Sequence, residues 1–481
     1  MKVLRLFGLV AGIGLSTCGG SHGPTLVPAS GGSHGPTLVP ASANRQQNLM
    51  VVDEGFDLST TELQGRVAAA YTETCIDTSG SGGGPANDAG AVYSGPAFDA
   101  LKQQWIAGLS VPDKSCHLSA GISAKSDPLA SIAQYKSRWN SMLRASQRAD
   151  QVFTPDERAA LQTAFEAEFQ TFAYHGTSTA GTVVHENPNV RLVLVERKLA
   201  SESTLQAQFT CLVQSEIDQI VALLTDSDVF TALVNQPVEL DNELAAVAAQ
   251  YNVGIVNQSF GAEARAALEM LQATHGCPAI NLSPYFTILN KAELAHAAAV
   301  AGPALLTVRA AGNDGAPIDS GADSLACDIG DPLSLLVGSY DTSQVRSNFS
   351  NFGACVDLYA PGESIVAPYA GGWLLPVDGT SFASPMVVRY VSLTAAIPFS
   401  PGPAKTALLG LRASDGSLPI SLFPNDFFYR PSPAPAGLHA MAGLARLRPP
   451  PRFDVQRFFR PLSRLRAARR HLGLPASDTP L

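Results

Sequence analysis

The sequence predicts an α/β fold: a mostly parallel sheet with helices on both faces, and a helical insertion between two of its chemical motifs. Three observations carry that prediction. Short apolar, β-branched runs alternate with stretches of helical spacing from residue 49 to about 397. Apolar residues make up 46% of the chain and charged ones only 15%, enough for a large core and too few charges for a disordered chain. Gly 41 and Pro 34 supply the turns that such alternation needs. Strands interleaved with helices, each strand apolar on both sides, are the pattern of a sheet covered on both faces.

The N-terminus comes before any of this. Lys2 and Arg5 precede an apolar stretch, Leu6 to Leu15, too short for a membrane span and suited to an export signal over residues 1–17. It ends in Leu15-Ser16-Thr17-Cys18-Gly19, which resembles the lipobox of bacterial lipoproteins and marks Cys18 as the lipidated residue. An ordinary secretory signal cleaved nearby is the other reading, and both export the protein. Residues 18–48 then hold a tandem duplication, GGSHGPTLVPAS from Gly19 to Ser30 and again from Gly31 to Ser42. Gly, Ser and Pro in that proportion bury no core, so the segment reads as a tether, and His22 and His34 as spacer residues. The seven cysteines agree with export: beside Cys18 stand Cys75, Cys116, Cys211, Cys277, Cys327 and Cys355, an even set for disulfides. Pairing between sequence neighbours is the first expectation, with Cys327–Cys355 foremost. No CxxC spacing suggests zinc.

Strands are expected at Met50 to Val52, Val190 to Val195, Gly254 to Val256, Ala304 to Val308 and Leu335 to Val337. Helices are expected at Thr204 to Leu224, Glu243 to Tyr251, Ala262 to Ala273 and Ala292 to Ala301. Thr154-Pro155-Asp156-Glu157 is a capping box that should start a helix running to about Phe172. Residues 79–172 read as an insertion in the main domain (49–400), either a wall of the site or a plain surface addition, which Cys75–Cys116 could tie. Residues 401–481 form a Pro-rich, then Arg-rich, C-terminal segment. Between 446 and 471 it carries nine Arg and one Asp, although the whole chain is −9. Phe453, Phe458, Phe459, Leu462 and Leu465 could form a basic amphipathic helix there, or simply a tail packed on the body. The overall acidity argues against nucleic acid as a partner.

Four separated segments carry chemistry. Met50-Val51-Val52-Asp53 places an acid at a strand end, and His175-Gly176-Thr177-Ser178-Thr179-Ala180-Gly181 a base at a helix start. Ala310-Ala311-Gly312-Asn313 places an amide at a strand end, and Gly379-Thr380-Ser381-Phe382-Ala383-Ser384-Pro385 a hydroxyl at another helix start. Strand ends facing helix starts are where open α/β sheets gather their sites. A neutral hydroxyl needs a base to take its proton, the imidazole suits that task, a carboxylate fixes its tautomer, and amide donors meet the oxyanion.

These segments resemble the subtilisin-like serine peptidases, and Asp…His…Ser is that family's order. The resemblance implies Asp53 as orienting acid, His175 as base, Ser381 as nucleophile and Asn313 as oxyanion-hole donor. Val256-Asn257-Gln258-Ser259-Phe260-Gly261 is similar to the family strand that pairs with substrate, which makes Ser259, Phe260 and Gly261 substrate-binding. Ser347 to Gly353, continuing to Ala360-Pro361-Gly362, resembles the segment before the nucleophile. The expectation is a serine endopeptidase acting on protein or peptide through an acyl-enzyme, exported and held to a membrane by a lipid anchor. No organic cofactor is called for; structural calcium is common in the family, but no Asp-rich loop identifies a metal site. Two departures stand out: Glu54 where the family has Ser or Thr, expected to face away from the site, and Arg389 where it has a close-packing Gly. They motivate the rival reading, a catalytically silent fold serving as a scaffold. An esterase of the α/β-hydrolase type would need Gly-x-Ser-x-Gly and Ser before His, and Ser381 has neither.

Overall fold

A computed structural model describes residues 46–75, 95–114, 116–169, 172–197, 200–201, 211–260, 264–299, 302–321, 323–324, 327, 333–394, 399–431 and 452–453. Cys18, the tether to residue 45, Gly261, and Phe458, Phe459, Leu462 and Leu465 lie outside the described residues. In chain order the elements are β1 (Gln47–Asp53), β2 (Val67–Cys75), α1 (Pro96–Leu109), β3 (Cys116–Ala120), α2 (Lys136–Arg144), α3 (Pro155–Phe169), α4 (His175–Val184), β4 (Val190–Glu196) and β5 (Ala200–Ser201). There follow α5 (Gln214–Thr225), α6 (Ser227–Val234), α7 (Glu239–Gln250), β6 (Val253–Gln258), α8 (Ala264–Thr274), α9 (Ser283–Ala299), β7 (Leu306–Ala310) and β8 (Ser334–Tyr340). The last are β9 (Leu358–Pro361), β10 (Ile365–Tyr369), β11 (Trp373–Val377), α10 (Thr380–Thr394), α11 (Pro401–Leu409) and β12 (Arg452–Phe453).

The main sheet runs β3-β2-β4-β1-β6-β7-β8-β9, parallel throughout except for β3, which is antiparallel to β2. The expected α/β class is therefore observed. Period-2 alternation divides each strand between two cores. Leu49, Val51, Leu192, Leu194, Ile255, Val308 and Val337 face one side, packed under α4 and α10 through Ala180, Val183, Met386 and Val387. Met50, Val52, Val193, Val195 and Val256 face the other, under α7 through Leu240, Leu244, Val247 and Ala248. Residues buried on both faces explain why these strands read as unbroken apolar runs. A third cluster joins α1, α5, α6, α8 and α9 around Trp105, Ile220, Tyr285 and Phe286.

The stretch between the Asp and His motifs supplies helices, and it also extends the sheet. β3 pairs with β2 in a register that sets Cys116 opposite Cys75, and the two form a disulfide. Cys211–Cys277 and Cys327–Cys355 close the other two, each cysteine joined to the next in sequence. α3 begins with the capping box: Thr154 Oγ1 accepts from Glu157 N–H at 3.3 Å, and Glu157 Oε2 accepts from Thr154 N–H at 3.0 Å. α2 and α3 cover the β10–β11 hairpin. Trp139 donates Nε1–H to the Leu374 carbonyl at 2.8 Å, and Phe165 lies between Trp139 and Trp373. The core also continues past residue 400, where Phe423, Phe427, Phe428 and Tyr429 enter the α4–α10 side. The change in composition there marks where proline becomes frequent, while burial runs on to Tyr429.

Candidate active site

β1 delivers Asp53 to the C-terminal edge of the sheet, and α4 begins with His175 against it. His175 Nδ1 lies 2.7 Å from Asp53 Oδ1, and both side chains are buried, at 1% and 0% exposure. A carboxylate only accepts, so Nδ1–H is the donor of this bond, and in the neutral ring that tautomer leaves Nε2 as the acceptor. Two further donors hold the acid: Thr179 Oγ1–H to Oδ2 at 2.9 Å and Glu54 N–H to Oδ1 at 2.7 Å. The register between the two motifs is made by backbone. Gly176 N–H donates to the Glu54 carbonyl at 2.7 Å and Thr177 N–H to the Gly55 carbonyl at 3.0 Å. The Glu54 carbonyl meets an N–H that the first turn of α4 leaves without an internal acceptor, while Thr177 N–H is shared with the Tyr174 carbonyl, also at 3.0 Å. Gly55 has φ +71°, and a Cβ there would stand 1.6 Å from the Ala173 carbonyl oxygen, so only glycine fits.

Ser381 lies in the first turn of α10, 8% exposed, and α10 packs alongside α4. The Phe382 ring next to it is 5.7 Å from the imidazole, centroid to centroid, and Phe172 covers the ring from another side at 5.8 Å. The structure thus joins Asp53 to His175 and sets Ser381 on the neighbouring helix start; a Ser381–His175 hydrogen bond is not formed. Pro385 has no N–H to return to the Ser381 carbonyl, which loosens the helix ladder at the serine.

Asn313 stands opposite. Its Oδ1 accepts from Thr380 N–H at 2.9 Å and Thr380 Oγ1–H at 3.0 Å. Because an amide oxygen must face those donors, Nδ2 is turned the other way, 3.6 Å from where a Cβ on Gly379 would stand. Neither Asn313 Nδ2 nor Ser381 N–H makes a hydrogen bond among the described residues, so two donors flank the Gly379–Ser381 bend. The turn that bears Asn313 is braced by Asn351. Its Oδ1 accepts from Asp314 and Ala316 N–H at 3.1 and 3.0 Å, and its Nδ2 donates to the Ala311 carbonyl at 3.0 Å.

The remaining expected residues are placed as follows. Ser259 is buried; its Oγ accepts from Asn257 Nδ2 at 2.7 Å and meets Ser384 Oγ at 2.9 Å, so the side chain ties the end of β6 to α10. Phe260 is half-buried under the Arg197 guanidinium, 5.6 Å from the ring centroid. Arg197 is itself buried, with Nε 2.6 Å from Glu73 Oε2, and its N–H donates to the Asp53 carbonyl at 2.7 Å. Arg389 is 4% exposed at the end of α4: Nε donates to the His185 carbonyl at 2.6 Å, and the guanidinium lies over Phe427. A cation at a helix C-terminus meets the negative end of the dipole, which is how the fold accommodates an arginine in place of a small residue. Burial lowers its pKa, while Glu186 and Asp426 act against that.

Thr179, Thr380 and Asn351 lie inside the motif segments but carry no role that the sequence assigns. Their hydroxyls and amide hold the acid and the Asn313 turn. Nothing in the side-chain pattern singles them out, because each stands among other small and polar residues in its segment. The stretch before the histidine is tied to the main sheet and to the start of α4: Lys125 pairs with Glu196 at 2.8 Å, and Tyr174 donates Oη–H to the Ser126 carbonyl at 2.6 Å.

Several known proteins resemble this chain in part. An alkaline serine protease of Corniculantispora psalliotae is 38% identical over 103 residues, 21% of this chain and 25% of that protein. An alkaline serine exoprotease A of Vibrio alginolyticus is 38% identical over 85 residues, 18% and 16% of the two. The chain thus spans a quarter or less of the length of these relatives. A cold-adapted subtilisin-like serine proteinase of known structure aligns over 77% of this chain and 83% of that one, at 19% identity and a TM-score of 0.33. The model of the subtilase family matches residues 45–399, most of the chain and every segment that builds the site, and the protein therefore belongs to the subtilase family.

Proposed function

We propose that the chain is a serine endopeptidase that hydrolyses peptide bonds of proteins or peptides through an acyl-enzyme. One observation carries this reading: a buried Asp53–His175 hydrogen bond whose neighbouring helix start bears Ser381 beside two unused donors. Ser381 Oγ attacks the carbonyl carbon as His175 Nε2 takes its proton, and Asp53 keeps the proton on Nδ1 and stabilises the imidazolium. The tetrahedral oxyanion is met by Asn313 Nδ2–H and Ser381 N–H, aided by the N-terminal dipole of α10. His175 returns the proton to the departing amine, and water repeats the sequence on the ester. The absent Ser381–His175 bond is in keeping with sites that tighten on binding substrate.

Labelling of the purified protein by a fluorophosphonate, compared with Ser381→Ala, tests it. Ser381-dependent labelling with inhibitor-sensitive casein turnover is expected; intact protein without labelling leaves a silent scaffold. Export with lipidation at Cys18, and residues 18–48 as a spacer, complete the reading. Loss of fatty-acid incorporation in Cys18→Ser is the expected result.

A further inference from the structure

A short ladder joins the far end of the chain to the neighbourhood of Asp53. β12 pairs antiparallel with β5, Arg452 opposite Ser201 and Phe453 opposite Ala200, and β5 has no other strand partner among the described residues. β5 follows β4 by way of Arg197, whose N–H is bonded to the Asp53 carbonyl and whose guanidinium covers Phe260. Three residues of chain reach about 10 Å at most, so Ala200 begins within that distance of Arg197. An extended segment laid on a strand edge is a standard way to hold peptide, because main-chain bonds give affinity whatever the side chains. Charge points the same way. Residues 446–471 carry nine Arg and one Asp in a chain of net −9, so the rest of the molecule is acidic and attracts the segment.

We propose that the Ala200–Ser201 edge is a peptide-docking strand whose resident occupant is the chain's own Arg452–Phe453 segment, a tethered competitor of extended substrate. Its effect on turnover rests on the peptidase reading; the docking itself does not. A tethered segment meets its edge at an effective concentration of about millimolar, so even a weak ladder is substantially occupied. Substrates that bind tightly enough displace it, and short substrates that never reach β5 are unaffected.

The test separates the two readings. In full-length protein carrying Ser381→Ala, so that the probe stays uncut, a fluorescein-labelled peptide of residues 446–460 is titrated by anisotropy. Phe453→Pro and, separately, Arg452→Pro remove a backbone donor from the ladder and vacate the edge. The peptide is expected to bind at least one of these variants about fivefold tighter than the parent, the scale of one net backbone hydrogen bond. Equal affinity in all three overturns the proposal. In the active protein the same variant should lower KM for a long peptide by the same factor and leave kcat and fluorophosphonate labelling unchanged. Tighter peptide binding with an unaltered KM overturns the competition. Tighter binding with no labelling at all upholds the docking and refutes the peptidase reading instead.

Discussion

Gly55→Ala is the sharpest perturbation available, because it touches no catalytic side chain. A Cβ at Gly55 would lie 1.6 Å from the Ala173 carbonyl oxygen and 2.9 Å from the Tyr174 Cα, both backbone atoms that no rotamer change can clear. One of the two segments has to move by more than an ångström. The bonds that fail first are Gly176 N–H to Glu54 and Thr177 N–H to Gly55, which set the Asp53–His175 register. A φ of +71° adds strain of about 1–2 kcal/mol, and two lost backbone bonds about 1 kcal/mol each, for a total of about 3–4 kcal/mol. Misplacement of a catalytic group by an ångström costs about 100-fold in rate. Gly65→Ala is the internal control: its φ is +69° but a Cβ there meets nothing within 4 Å, so it should show the strain alone, with unchanged reactivity. Denaturant unfolding and the second-order rate of fluorophosphonate labelling measure both quantities. If Gly55→Ala matched Gly65→Ala in stability and labelled within twofold of wild type, the account of how the acid and base are aligned would be wrong.

Asn313→Ala should lower peptide kcat by about 10²–10³, the loss that removing one oxyanion-hole donor causes in a serine peptidase, with KM little changed by steady-state assay. Arg389→Ala strips the His185 carbonyl of its charged donor and the Phe427 face of its cation, and should cost about 2–4 kcal/mol by denaturant unfolding. His296 binds the Val234 carbonyl through Nδ1 at 2.7 Å and Asp241 through Nε2 at 3.2 Å. Both ring nitrogens face acceptors, which calls for the imidazolium. Burial lowers its pKa, but Asp241, the Val234 carbonyl and Glu293 prevail, and the value is raised above 6.5. A raised folded-state pKa contributes stability that is full below 6.5 and lost as pH rises through the folded value. Thermal melts of His296→Gln should therefore lose the part of the alkaline decline that wild type shows in that window.

Much of the architecture was legible in the chain. Strands buried on both faces announce themselves as unbroken apolar runs, and β1, β4, β6, β7 and β8 lie where those runs are. β2 was not legible: its Val67-Ala68-Ala69-Ala70 run has the composition of a helix, and pairing with β4 overrides that preference. The helix expected from Ala292 begins instead at Ser283, because the apolar residues Tyr285, Phe286 and Leu289 pack into the side cluster around Ile220. The Ser259 side chain could not be placed from sequence. An exposed hydroxyl at a crevice and a buried one bridging Asn257 and Ser384 are written with the same letter.

By itself, the sequence determined the class of fold, the positions of the buried strands, the capped start of α3 and the residue types gathered for chemistry. All of these follow from covalent geometry, through side-chain period, glycine's freedom at positive φ and capping at a first turn. Only the tertiary structure decided that Thr179 holds the acid, that β3 joins the sheet edge, that Arg389 closes α4, and that Arg452–Phe453 lies on Ala200–Ser201. Those are contacts between distant parts of the chain. Closing a longer loop adds only about 0.6 kcal/mol per doubling of its length, so spacing barely constrains which partners meet, and packing chooses among them.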